Sequence, residues 1–177
     1  MKMKPLLRSV ATAVLAAVMA TGCTTRSAVN AAGEQTLFVI VRHAEKSLDE
    51  PKDPTLSDTG RVRAQRLAGL LTGKRVAAVY ATGYRRTQMT ASPTAQAQGL
   101  QVQTYAADIP AADFAATLRN MHPAGTVLVI GHSNTVAAIA SALCICVVAP
   151  LREDEYDRWI TVRIMADGKI WTEETHY

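Results

Sequence analysis

Three places in the chain put reactive side chains directly after a short apolar run. Residues 37–41 (LFVIV) lead into Arg42-His43-Ala44-Glu45-Lys46, and residues 76–80 into Thr82-Gly83-Tyr84-Arg85-Arg86-Thr87. Residues 127–130 (VLVI) lead into Gly131-His132-Ser133-Asn134. Two of the four histidines and several cations therefore occupy equivalent positions. These residue types suit a phosphate. Guanidinium forks bind its oxygens in pairs, and backbone N–H groups at a helix start add donors. A neutral imidazole can attack phosphorus, because histidine is among the side chains that form covalent intermediates. Each residue also has a plainer reading by itself. His43 suits a satisfied core histidine and Arg42 a surface ion pair. Ser133 or Asn134 suits a helix cap, and Arg85 and Arg86 a solvated helix face. The chemical reading rests on three runs supplying compatible groups together.

For those groups to meet, the runs must be neighbouring strands. Continuous apolar runs of this length read as strands buried on both faces. Residues 47–57, with two Pro, two Asp and two Ser, form a loop. It is the one loop long enough to act as a lid, so the site is expected to be open and shallow. A helix is predicted from about Asp58, with Val62, Leu67, Leu70 and Leu71 as its apolar stripe and Gly73 just past its end. A second covers about 84–98, interrupted at Pro93 and stopped by Gly99. Val102–Tyr105 reads as a strand, and Ala111–Met121 as a helix with Phe114 and Leu118 four apart. A last helix follows His132, over about 134–144.

Beyond Pro150, residues 153–156 suit one helical turn. Residues 158–165 alternate around Ile160, Val162 and Ile164, and Asp167-Gly168 marks a hairpin turn before residues 169–173. The pattern predicts an α/β fold: a three-layer α/β/α sandwich with a mainly parallel central sheet and a C-terminal antiparallel hairpin. In such a sheet ligands collect where strands end and helices begin. No internal repeat or second domain is evident.

The chain of 177 residues, 49 % apolar and 19 % charged, has ordinary globular composition for one domain. Its net charge of +4 depends on Lys2, Lys4 and Arg8; without them 16 basic residues face 15 acidic ones. Neither that balance nor an aromatic content of 5 % suits nucleic-acid binding.

Residues 1–8 are basic and residues 9–20 almost wholly apolar, too short a run to span a membrane but suited to a secretory signal peptide. Ala20-Thr21-Gly22-Cys23 resembles the bacterial lipoprotein signal, in which the cysteine is lipidated and becomes the mature N-terminus. Ala20 stands where that signal prefers a larger aliphatic residue, and cleavage near Gly22 or Ala31 would instead release a soluble periplasmic protein. The expected organisation is a signal peptide over 1–22, a polar tether over 23–35 and a single domain over 36–177, exported and lipid-anchored through Cys23. Cys144 and Cys146, two residues apart in an apolar stretch, are poorly placed to bond each other in regular structure and read as buried bystanders.

The strand-end motifs, taken as a set, resemble the histidine phosphatase superfamily, the phosphoglycerate mutase-like group. Arg42-His43-Ala44-Glu45 is similar to its Arg-His-Gly signature, with Ala44 in place of the glycine. Leu56-Ser57-Asp58-Thr59-Gly60, followed by Ala64 and Leu67-Ala68, resembles the stretch that opens the family's first helix. Arg86-Thr87 with Thr90-Ala91 is similar to its R-T-x-x-T-A segment, and Gly131-His132-Ser133-Asn134 to its second histidine motif. Order and spacing agree from 37 to about 140.

The resemblance implies a metal-independent phosphomonoester hydrolase in which His43 becomes phosphohistidine. Arg42, Arg86 and His132 would hold the phosphoryl group and stabilise its charge, and Lys46 would contact it. Glu45, Ser133 and Asn134 would complete the substrate site. A leaving alkoxide needs a proton; Asp108 is the first candidate donor and Glu45 the second. Neither a metal nor another cofactor is implied, since side-chain cations meet the phosphate charge. The expected partner is a phosphorylated small molecule or phosphoprotein. The alternatives are a lipoprotein that binds a phosphorylated ligand without turnover, and a mutase-type phosphotransferase. His122 and His176 are given no catalytic role.

Overall fold

A computed structural model describes residues 35–177. The leader over 1–22, Cys23 and all but the last residue of the tether lie outside the described residues. The elements run β1 (Thr36–Arg42), α1 (Asp58–Leu70), β2 (Val76–Thr82), α2 (Arg85–Ala97), β3 (Val102–Tyr105) and α3 (Ala111–Met121). They continue β4 (Gly125–Gly131), α4 (Val136–Cys144), β5 (Arg158–Ile164) and β6 (Ile170–His176). All six strands form one sheet in the order β3-β2-β4-β1-β5-β6. The first four are mutually parallel, and β5 and β6 add an antiparallel hairpin beside β1. This is the expected sandwich with its antiparallel edge.

Side-chain alternation along the strands divides the core between two layers. Phe38, Ile40, Tyr80, Val127 and Val129 face α3 and α4, meeting Phe114, Leu118, Ile139 and Leu143. Val39, Val41, Val79, Leu128 and Ile130 point the other way, against Leu67, Leu71, Ala91 and Ala95. A strand with both faces buried has no place for polar residues, which is why β1 and β4 are written as unbroken apolar runs. The α1 stripe is narrower than its sequence spacing suggests. Leu67 and Leu71 are buried, while Val62 and Leu70 are exposed.

The start of α1 is fixed from two sides. The Ser57 hydroxyl accepts the Gly60 N–H at 3.1 Å, a helix cap worth about 1 kcal/mol. Gly60 then lies so close to the chain after β1 that a Cβ on it would stand 2.3 Å from the Glu45 carbonyl oxygen. That approach explains the glycine. It also packs the helix directly against the loop carrying His43.

Four expectations need correction. Pro93 does not interrupt α2, which runs unbroken from Arg85 to Ala97 with Thr90, Ala91, Thr94 and Ala95 buried on one side. Burial of that side outweighs the one helical hydrogen bond that proline cannot donate. Residues 153–156 form no helix; the Glu155 N–H closes a turn on the Arg152 carbonyl instead. Cys144 and Cys146 are not bystanders but a disulfide with Cα atoms 5.1 Å apart. The expectation assumed regular backbone, whereas α4 ends at Cys144 and Ile145 turns left-handed with φ of 56°, bringing Cys146 back toward Cys144. Finally, 47–57 is not the one long loop, because residues 145–157 between α4 and β5 contain neither helix nor strand.

Candidate active site

The β1–β4 ladder alone decides the centre of the site. Arg42 pairs with Gly131 in parallel register, so the next residues, His43 and His132, emerge side by side from adjacent strands. The His43 N–H extends the ladder onto the Gly131 carbonyl at 2.9 Å. The two rings meet edge to face, 5.4 Å between centroids. Strand β2 flanks β4 on its other side and brings Thr82 and the start of α2. A cleft of about 560 Å³ opens above these strand ends.

His43 is 3 % exposed, and its Nδ1 lies 2.8 Å from the Ala44 carbonyl oxygen. A carbonyl can only accept, so this contact assigns the proton to Nδ1 and leaves Nε2 with its lone pair. Burial pushes the His43 pKa down to about 3, helped by the charge of Arg42, His132 and Arg86 and opposed by the Ala44 hydrogen bond. His132 is pushed down to about 4, by burial and then by Arg86 and Arg42. Its Nε2 lies 3.0 Å from the Thr82 hydroxyl. The Thr87 hydroxyl has one proton and two carbonyl acceptors, Thr82 and Tyr84, so its oxygen accepts from Thr82. The Thr82 oxygen then accepts from His132 Nε2–H. Both imidazoles are neutral and held in one tautomer.

The threonines of the Arg86-Thr87 and Thr90-Ala91 segment are thus structural. Thr90, wholly buried, donates its hydroxyl to the Arg86 carbonyl at 2.7 Å and accepts the Ala44 N–H at 3.0 Å. It ties α2 to the residue beside the candidate nucleophile.

Arg42, His43, Lys46, Arg86, Asp108, His132, Ser133 and Asn134 all line the cleft. Glu45 does not. Its carboxylate is gripped by Arg63 of α1, with Nε 3.0 Å from both oxygens and Nη2 2.7 Å from one. Partial burial acts to raise the Glu45 pKa, but the Arg63 hydrogen bonds outweigh it and hold the group below the ordinary carboxylate range. Its placement outside the cleft, turned toward Arg63, removes Glu45 from the substrate site and from proton donation. His122 sits at the far end of the sheet, its Nε2 2.9 Å from the Tyr80 hydroxyl and its carbonyl bonded by Thr36 at the start of β1.

The arginines differ. Arg86 lies with its guanidinium 4.3 Å from the Tyr84 ring centroid, 3.5 Å from Asp53, and with a buried Nε that has no partner. Arg42 is more committed. Its Nη1 contacts the carbonyls of Arg152, Glu153 and Glu155 at 2.8–3.3 Å, its Nη2 donates to the Glu153 carboxylate at 3.1 Å, and it stacks over Tyr156. Only its Nε lacks a partner. Arg42 therefore anchors the 151–157 segment as well as facing the cleft.

Four residues lining the cleft escaped the sequence reading: Tyr84, Ala107, Thr135 and Glu153. Tyr84 meets His132 edge to face at 5.2 Å, and its one sequence signal was an aromatic at a strand end in a chain poor in them. Glu153 reaches the cleft from the 145–157 segment, where no periodicity placed it.

Residues 38–107 match the family model described as histidine phosphatase superfamily (branch 1). The sheet and its helices are the histidine phosphatase fold. The matched stretch holds Arg42, His43 and Arg86; His132 lies beyond it and joins them through the β1–β4 ladder.

Among solved structures, the protein histidine phosphatase SixA complexed with tungstate is 18 % identical, with a TM-score of 0.61 over 80 % of this chain and 96 % of that one. A mycobacterial glucosyl-3-phosphoglycerate phosphatase is 15 % identical, with a TM-score of 0.61 over 82 % and 98 %. A phosphoserine phosphatase from Entamoeba histolytica is 12 % identical, with a TM-score of 0.59 over 80 % and 97 %. No curated protein matches the sequence. The histidine phosphatase match and these three neighbours are phosphatases by description.

Proposed function

We propose that the protein is a metal-independent phosphomonoester hydrolase working through a phosphohistidine at His43. The observation that carries this reading is the His43 ring, neutral by burial, with Nδ1 committed to the Ala44 carbonyl and Nε2 left as the lone pair. Attack by Nε2 on phosphorus displaces the alcohol and leaves a phosphoryl group on the ring. Water then attacks that group, returns the electron pair to Nε2 and frees phosphate. Arg86, Lys46, His132 and the unpartnered Nε of Arg42 supply positive charge and donors to the phosphoryl oxygens, with Ser133 and Asn134 at the rim. The charge is met by side chains, so no metal is required.

Arg42 and Arg86, which add to burial in keeping His43 unprotonated, also attract a phosphate dianion. Binding the dianion offsets their effect on His132, favouring the imidazolium that steadies the transferring group. The substrates are phosphorylated molecules, small or protein.

The same reading extends to location. The basic start and apolar run over residues 1–20, the Cys23 context, and a disulfide suited to an oxidising compartment support an exported, periplasmic protein anchored through a lipid on Cys23.

The test is phosphate release from an aryl phosphate with chelator present, comparing wild type with His43→Ala. Activity in the first and none in the second, with a phosphoryl label trapped on wild type alone, is the expected result. A folded wild type that binds phosphate and turns over no ester would overturn catalysis in favour of ligand binding.

A further inference from the structure

Two carboxylates reach the cleft, and only one of them is oriented. Among the described residues no hydrogen bond fixes Asp108. Glu153 is held at both ends: its carbonyl accepts from Arg42 Nη1 at 2.8 Å, and one carboxylate oxygen from Arg42 Nη2 at 3.1 Å. The other oxygen accepts from the Ser133 hydroxyl at 2.6 Å, directly beside His132. The side chain is nonetheless 82 % exposed, so water can deliver or remove a proton. The Glu153 carboxylate thus occupies donors that an arriving phosphoryl group would also use.

Resting on the hydrolase reading above, we propose that Glu153 is the acid that protonates the leaving oxygen, taking up its proton as the phosphoryl group binds. Without substrate, the Ser133 hydroxyl and then the Arg42 charge keep the carboxylate ionised. A monoester dianion brings negative charge to the same cations. Two anions sharing one set of donors cannot both stay fully ionised at no cost, and the carboxylate responds by binding a proton.

The steps then balance. The lone pair of His43 Nε2 forms the bond to phosphorus while the bond from phosphorus to the leaving oxygen breaks. That oxygen takes the Glu153 proton and departs as the alcohol. In the second step water bonds to phosphorus and gives its proton to the Glu153 carboxylate. The phosphorus–nitrogen pair returns to Nε2.

The test uses Glu153→Gln, which keeps the shape and the acceptor for Arg42 and removes the transferable proton. First-turnover release of the alcohol, which reports the step before water attacks, is measured on two esters, an aryl phosphate with an acidic phenol and a simple alkyl phosphate. The expected result is first-turnover aryl release within about threefold of wild type and alkyl release slowed about 100-fold or more, with slower steady-state turnover of both esters and an unchanged melting temperature. Calorimetry of inorganic phosphate binding in buffers of different protonation enthalpy should show more proton uptake in wild type than in the variant, which keeps only the share taken by His132.

Equal first-turnover losses on both esters would make Glu153 a positioning residue for Arg42 and overturn the acid role. So would no loss on either, equal proton uptake, or selective alkyl loss in Asp108→Asn instead. Failure of wild type on both esters would overturn the hydrolase reading itself. An intact aryl activity that depends on His43 separates the two failures.

Discussion

Thr90 and Thr94 stand one turn apart on the buried side of α2, and replacing each by valine should have opposite effects. Both are essentially inaccessible, at 0 % and 1 % exposed. Valine keeps the branching and nearly the volume, so the hydroxyl is what changes. At Thr90 that hydroxyl serves the Ala44 N–H and the Arg86 carbonyl. The carbonyl retains its place in the helical ladder, but the N–H of wholly buried Ala44 is left without an acceptor. An orphaned buried donor costs about 1–3 kcal/mol. At roughly 4 °C per kcal/mol for a domain of this size, Thr90→Val should melt about 4–12 °C lower.

The Thr94 hydroxyl is buried with no partner at all. Thr94→Val removes a desolvated group that returns nothing, and should be neutral or stabilising by about 1 kcal/mol. Urea unfolding and thermal melts of the two single variants measure the difference. Thr90→Val should also slow aryl phosphate turnover, because the Ala44 carbonyl that fixes the His43 tautomer belongs to the loosened residue. Equal stability changes in the two variants, or a Thr90→Val loss under about 0.5 kcal/mol, would refute the assignment of Thr90 as the tie between α2 and the nucleophile loop.

Further expectations follow from pH and from close packing. His43 has a folded pKa of about 3, below the ordinary value near 6.5, so as pH falls from 6.5 toward 3 the unfolded chain binds a proton that the folded one refuses. Stability is therefore fully present above pH 6.5 and is lost on acidification, with His43 contributing a slope of up to about 1.4 kcal/mol per pH unit; a wild-type-minus-His43→Ala difference flat in urea titrations between pH 4 and 7 would contradict this. Gly60→Ala places a methyl 2.3 Å from the Glu45 carbonyl oxygen, so the α1 start and the β1–α1 loop must separate. The expected loss is about 1–3 kcal/mol with reduced turnover, read by denaturation and the aryl phosphate assay.

The legible part of the molecule is the part made by local rules. β3 and α3 have the bounds that the sequence predicts, because Gly99 and Pro110 punctuate them and their periodicities do not conflict. The pairing of His43 with His132 was legible for a similar reason. Two fully apolar strands must lie inside a parallel sheet, and residues just past their ends share its carboxyl edge. Adjacency in sequence misled where the backbone turned. Glu45 is two residues from His43 in sequence, yet its side chain leaves the cleft because Ser57 and Gly60 bring α1, and with it Arg63, against the loop.

The disulfide had no local signal either. It depends on Ile145, a β-branched residue, adopting positive φ at the end of α4, a conformation that propensity argues against. Glu153 is the sharper case. Nothing within 145–157 gives it a periodic position, and its place is set from more than a hundred residues away. Arg42, at the end of β1, is 1 % exposed, and a guanidinium so buried must find acceptors. The nearest are the backbone carbonyls of 152, 153 and 155, which regular structure would have consumed. An irregular segment is thus what the buried arginine requires: its unpaired carbonyls satisfy Arg42, and in doing so fix the Glu153 carboxylate beside Ser133 and His132. The absence of helix and strand that hid this residue from the sequence is the physical reason it can reach the site.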